Sequence, residues 1–144
     1  MTQHVSASAL KRRNQPETLR LRAVMPVLTV NNIATSIAWY REVLGFVITD
    51  QAEKDGRIVA AQLLAGKVCV LLMQDETPSA IPRRKGEGIR IFCATRQDAD
   101  ELAALVRERG GIIDQEPRDQ WGGRDFAVVD PDGFQISICS GARI

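Results

Sequence analysis

The 144 residues include 44% apolar and 26% charged side chains, with 19 Lys and Arg against 18 Asp and Glu. A chain of this size fits one domain with a real core. No apolar run approaches the roughly 18 to 20 residues that span a bilayer, and the N-terminus lacks the apolar stretch and small residues of a secretory signal. The expectation is a soluble, cytoplasmic protein without a membrane partner. The near-neutral sum hides an uneven distribution. Residues 1–22 carry Lys11, Arg12, Arg13, Arg20 and Arg22 against Glu17 alone, and Ser6, Ser8, Asn14 and Pro16 break any periodicity there. This segment reads as a flexible basic arm, or a strap across a partner subunit. One Lys-Arg-Arg cluster without interleaved aromatics or a second basic patch is weak support for nucleic acid, and none is expected.

From Met25 the chain changes character. Residues 25–30 form an apolar strand-like run, Asn31-Asn32 supplies a turn and cap, and Ile33, Ile37, Tyr40, Val43 and Leu44 follow at helical spacing. Gly45 stops that helix where a left-handed cap is wanted. Three strand-like runs come next, 46–51, 57–64 and 67–74, split by Lys54-Asp55-Gly56 and Ala65-Gly66. Residues 75–87, with Pro78, Pro82 and Gly86, read as a linker. The order then restarts: a strand at 88–94, a helix at 98–109 with Leu102, Leu105 and Val106 on one face, Gly110-Gly111, and strands at 112–115, 124–129 and 134–139. Asp130-Pro131-Asp132-Gly133 is strong turn chemistry. Corresponding landmarks are spaced alike in the two halves, Met25 to Gly45 to Gly66 and Gly88 to Gly110 to Gly133. Matching order and length predict a duplicated unit.

The three cysteines, Cys69, Cys93 and Cys139, are odd in number and each sits in an apolar run, so they read as buried free thiols in a reducing compartment. The only histidine is His4, in the arm, which leaves no Cys–His pair for the domain.

The run Met25-Pro-Val-Leu-Thr-Val-Asn-Asn-Ile-Ala-Thr-Ser-Ile-Ala-Trp-Tyr-Arg-Glu-Val-Leu-Gly-Phe46 resembles the opening of glyoxalase/bleomycin-resistance (vicinal oxygen chelate) domains. The run Trp121-Gly-Gly-Arg-Asp-Phe-Ala-Val-Val-Asp-Pro-Asp-Gly133 resembles their ending, its Trp-Gly start being most like the bleomycin-resistance branch. The resemblance implies an α+β fold in which two βαβββ repeats form a curved mixed sheet around a cavity, with helices on the convex side. It spans a domain at 23–140, with repeat one at 25–74, the linker at 75–87 and repeat two at 88–139. Metal-dependent members of the superfamily carry four ligands on the concave face, one each on the first and last strand of both repeats. Here those positions fall on Met25, on a run from Lys67 to Gln74 without His, Asp or Glu, on Gly88 to Arg90, and on Ser137. Catalytic divalent metals take His or carboxylate donors. No metal and no cofactor is therefore expected, which argues against glyoxalase I or extradiol dioxygenase chemistry.

Strand alternation sorts side chains between helices and cavity. Pro26, Leu28 and Val30 should face the helices, and Met25, Val27 and Thr29 the cavity. Ile136 and Ile138 should pack inward, leaving Gln135, Ser137 and Cys139 toward the cavity. Arg90 and Phe92 should share that side, and Val68, Val70 and Leu72 would too if Val70 replaces the family's carboxylate. The candidate ligand-binding residues are Arg90, Phe92, Trp121, Arg124, Gln135 and Ser137. Arg90 could grip a carboxylate or phosphate through two hydrogen bonds, or pair with Asp125. Trp121 could stack on a ligand, or pack against the other repeat or a partner. Phe92 reads as a cavity wall. Arg124 could reach a ligand, or pair with Asp125 or Glu116. Trp39 and Tyr40 read as core, and Ser36 and Asp130 as cap and turn. No catalytic residue is assigned, because Gln135, Ser137, Thr29 and Arg90 include no clear base; Glu53 or Asp125 would serve only if the register places them inside.

Three functions remain. The first is a metal-independent protein that binds and sequesters a small organic molecule, working as a homodimer. The second is a lyase, isomerase or hydrolase of the same superfamily, and the third is an interaction module using the basic arm.

Overall fold

The computed structural model describes residues 17–77, 85–120 and 122–142. Residues 1–16 of the basic arm, 78–84 of the linker, Trp121 and the last two residues lie outside that range.

The first unit runs β1 (Val27–Val30), α1 (Ile33–Glu42), β2 (Val47–Lys54), β3 (Arg57–Ala65) and β4 (Val68–Gln74). The second repeats it with β5 (Arg90–Thr95), α2 (Ala99–Glu108), β6 (Ile113–Gln120), β7 (Gly123–Val129) and β8 (Gln135–Ser140). The strands form two mixed four-stranded sheets, ordered β1-β4-β3-β2 and β5-β8-β7-β6. In each, the first strand runs parallel to the last while the other pairs are antiparallel. The α+β plan of two βαβββ units is thus present.

Boundaries depart from the sequence reading where local chemistry demands it. β1 begins at Val27 because Pro26 has no N–H for the ladder, although its carbonyl still accepts from Leu71 N at 2.9 Å. β6 runs to Gln120, well past the expected 115, carrying Pro117 within it. That proline is tolerated because β6 is an edge strand, and the register against β7 shifts twice along its length.

Both helices start on polar caps: the Asn32 side chain accepts from Thr35 N at 3.1 Å, and that of Asp98 from Glu101 N at 2.9 Å. Asp100 and Glu101 in the first turn of α2, and Arg107 in its last, suit the helix dipole. One apolar cluster joins the two units. Leu28, Val30, Leu63, Val70 and Leu72 pack with Ile33, Ile37 and Tyr40, and Phe126, Val128 and Ile136 with Ala103 and Val106. Fully burying side chains of this size contributes about 1.5–3 kcal/mol each. Val70 and Leu72 therefore face the helices, which corrects the expectation that they line the cavity. Parallel pairing of Val27 with Leu71 and Thr29 with Met73 puts Cys69, Leu71 and Met73 on the opposite, helix-free face.

The two units are tied by hydrogen bonds from the Asp130–Gly133 turn. Asp130 Oδ1 accepts from the backbone N–H of Asp132 and Phe134, at 2.9 and 2.8 Å. Its Oδ2 accepts from the Tyr40 hydroxyl at 2.7 Å. Asp132 accepts from Asn31 N at 2.8 Å and from the Ser36 hydroxyl at 3.3 Å. Ser36 and Asp130 are thus more than cap and turn residues: they join the repeats. Tyr40 is core, as expected, with Trp39 edge-on at 4.9 Å and Phe46 edge-on at 5.6 Å. Lys85 forms an ion pair with Asp75 across the linker, and holds that carboxyl below its usual range. Buried Gly86 sits so close to the turn that a Cβ there would lie 2.0 Å from the Gly133 carbonyl oxygen.

Candidate functional site on the helix-free faces

The register of the second sheet assembles a distinctive surface. Arg90 pairs with Gln135, Phe92 with Ser137 and Ala94 with Cys139 across β5 and β8. Asp125 pairs with Cys139, Ala127 with Ser137 and Val129 with Gln135 across β7 and β8. Cross-strand partners share a face, and Phe126, Val128 and Ile136 occupy the helix side. Arg90, Phe92, Gln135 and Ser137 therefore lie together on the helix-free face, in the arrangement alternation predicted, with Asp125 and Cys139 beside them.

At one end of this face Arg90 Nε donates to Gln135 Oε1 at 2.8 Å, and Gln135 Nε2 donates to Asp114 Oδ2 at 2.6 Å. The amide is thereby fixed between a cation and an anion. Arg90 is exposed and borders a cavity of about 470 Å³, also lined by Glu87, Gly88, Asp114, Val129 and Gln135. Its two terminal nitrogens carry no hydrogen bond among the described residues.

The other end is buried. Ser137 and Asp125 are each 1% exposed and Cys139 is fully enclosed. Asp125 accepts from Gln120 Nε2 at 3.1 Å and from Gln115 Nε2 at a long 3.5 Å. Burial, then the Asp125 charge, push the Cys139 thiol above its usual range, so it is held protonated. Ser137 Oγ has no hydrogen-bond partner among the described residues.

Arg124 is engaged elsewhere. Its Nε and Nη2 donate to both Asp100 oxygens at 2.7 and 3.1 Å, and Nη1 donates to Asp119 at 3.2 Å. Its partners are thus neither Asp125 nor Glu116, and its guanidinium holds the Asp100 carboxyl below its usual range. Glu116 pairs instead with Arg107. Phe92 is half-buried on the helix-free face. Trp121 lies outside the described residues. Cys69 and Cys93 are half-buried rather than buried, and Cys69, Cys93 and Cys139 are all free thiols.

The first sheet offers a contrasting surface of Val27, Ala60, Gln62, Leu64, Leu71 and Met73, in register with one another. Measured from the last strand, Leu71 stands where Ser137 does and Ala60 where Asp125 does. The duplicated architecture thus presents one aliphatic face and one polar face. Sequence reasoning left Asp125 conditional and passed over Gln115 and Gln120. The alternation of Phe126 and Val128 was the available signal, since it places Asp125 opposite the core.

The metal positions implied by the family do not fit an ion. Met25 precedes β1, β4 presents Cys69, Leu71 and Met73, and β5 and β8 offer Arg90 and Ser137. Among the described residues no three His, Cys, Asp or Glu side chains converge on one point.

A duplicated βαβββ domain with a ligand-sized hollow beside one sheet defines a class of protein. The chain belongs to the Glyoxalase/Bleomycin resistance protein/Dioxygenase superfamily, which it matches over residues 21–138. Its structure is similar to that of TioX from Micromonospora sp. ML1, with 21% identity over 83% of this chain and 98% of that one, at a TM-score of 0.68. It is similar to TnmS3, an antibiotic binding protein from Streptomyces sp. CB03234, with 20% identity over 86% and 99% of the chains and a TM-score of 0.67. It also resembles a V278E glyoxalase I mutant from Zea mays, with 22% identity over 84% of this chain and 45% of that one, at a TM-score of 0.67. Likeness at such identity establishes the fold. No curated protein sequence matches the chain. Among the described residues no helix is long and apolar enough to cross a membrane.

Proposed function

We propose that this protein binds and sequesters a small organic molecule without converting it and without a metal. The observation that carries the reading is the Arg90 hollow. A guanidinium oriented through a fixed amide, with two nitrogens unbonded among the described residues, is suited to grip a carboxylate or phosphate on a small organic ligand. The poor donor set at the family's metal positions supports metal independence, and the described binding role of TnmS3 supports sequestration. The domain is taken as residues 23–140, with 1–22 as an accessory arm and Trp121 and Phe92 as further ligand contacts. The free thiols suit the reducing cytoplasm. Exposed Val27 and Met73 on one face, beside the free edge of β1, suit burial against a second copy. Titration of the protein with a panel of aromatic carboxylates, followed by tryptophan fluorescence, tests the proposal. Saturable quenching that survives chelation is expected, and a flat response across the panel overturns it.

A second reading, a metal-free lyase, isomerase or hydrolase, draws on one observation: the register does put Asp125 on the helix-free face, where a general base is needed. Turnover that persists under chelation and disappears in Asp125→Asn would establish it.

A further inference from the structure

We infer that the ligand carries a protonated nitrogen, held by Asp125 and Ser137. The inference rests on the binding role proposed above and names the chemistry of one end of the ligand. Its basis is two separate irregularities on one face. Asp125 is a carboxylate at 1% exposure with no Lys or Arg paired to it among the described residues. Its neighbours are amides, of which Gln115 sits at the limit of hydrogen-bond distance. Ser137, also 1% exposed, has a hydroxyl without a partner among the described residues. Buried charges are ordinarily paired, and buried hydroxyls ordinarily bonded.

The register places these groups together. Asp125 faces Cys139, two residues along β8 from Ser137, and Ala127 faces Ser137. The diagonal across an antiparallel pair spans about 7–8 Å between backbones, within reach of two inward-leaning side chains. One ammonium or amidinium group carries enough N–H bonds to serve both: a charge-assisted bond to the carboxylate and a second to Ser137 Oγ. The half-buried amides of Gln115 and Gln120 occupy Asp125 now and are the groups such a nitrogen would displace. The matching positions of the first repeat hold Ala60 and Leu71, so only one of the two sheets presents this pair. Cys139, with its thiol kept protonated, adds no competing charge.

The experiment uses the full chain and two probes with the same aromatic body, dansylcadaverine, which ends in an ammonium, and its N-acetyl derivative, which is neutral. Dansyl emission reports binding. The ammonium probe is expected to bind at least about tenfold more tightly. In Asp125→Asn the two affinities should converge to within about twofold through loss of the ammonium probe alone, and Ser137→Ala should weaken that probe severalfold. Retained binding of the acetylated probe certifies that each variant is folded. Equal affinity of both probes for the unmodified protein, or an unchanged ratio in Asp125→Asn, overturns the inference and leaves the binding role standing. Failure of the ammonium probe to saturate likewise overturns the inference, while the binding role stands or falls separately with the carboxylate panel.

Discussion

Tyr40 and Asp130, ninety residues apart in sequence, share a 2.7 Å hydrogen bond with both side chains buried, and this bond joins the helix of one repeat to the final turn of the other. Loss of one partner leaves the other buried and unsatisfied, which costs about 1–3 kcal/mol. Tyr40→Phe should lower unfolding stability by that amount in urea. An unchanged midpoint would show that the bond contributes nothing net.

The same pair sets an alkaline limit. Burial first, then the Asp130 charge, raise the Tyr40 hydroxyl far above its ordinary range, so the folded protein holds that proton more tightly than the unfolded chain does. The stabilisation is complete below about pH 10, the unperturbed tyrosine value, and is lost as pH climbs beyond it. Burial also raises Asp130; its protonated form is favoured by folding, so its share is full below about pH 4 and declines as pH rises through the raised value. Thermal unfolding between pH 9 and 11 should therefore fall steeply in the native protein and less steeply in Tyr40→Phe. Parallel slopes would contradict this.

Ser137→Ala should raise stability by about 1 kcal/mol, because it removes a buried hydroxyl that has no partner among the described residues. Equilibrium denaturation measures this directly. Destabilisation by a similar amount would mean that the hydroxyl is satisfied in solution.

Arg90→Gln should weaken binding of carboxylate-bearing ligands about tenfold, as expected for a lost charge-assisted pair, with little effect on stability because the side chain is exposed. Chelation, by contrast, should change neither melting temperature nor affinity, given the thioether, aliphatic and hydroxyl groups at the family's metal positions. Loss of binding on chelation would reverse that assignment.

Val27→Asp places a charge on the exposed aliphatic face of the first sheet. Sedimentation should show a second-copy assembly in the native protein and a folded monomer in the variant. Identical mass for both would remove this face from any interface.

Much of the fold was readable because local signals agreed with one another. Asn32 and Asp98 cap the helices, Gly45 and Gly110 adopt positive φ at their ends, and alternation of apolar residues in β5 and β8 fixed which side chains share a face. Of the candidate site, the same rule brought Arg90, Phe92, Gln135 and Ser137 to one surface. β4 misled because Val68 through Leu72 are all apolar, so alternation carries no information there and only pairing with β1 decides the face. The partners of Arg124 were invisible because Asp100 comes from a helix 24 residues away. The bonds made by Asp132 were equally hidden: a turn sequence reports its own geometry and is silent about a helix it touches a hundred residues earlier.

Gly86 gives the connection between the repeats an unusual constraint. With no room for a single methyl between it and Gly133, the polypeptide entering the second sheet is seated directly on the turn that bears Asp130 and Asp132, and only four residues before Arg90. Any side chain at position 86 would have to displace the backbone of the very turn whose Asp130 carboxylate receives the Tyr40 hydroxyl, so one small residue in the connection guards the cohesion of the two halves.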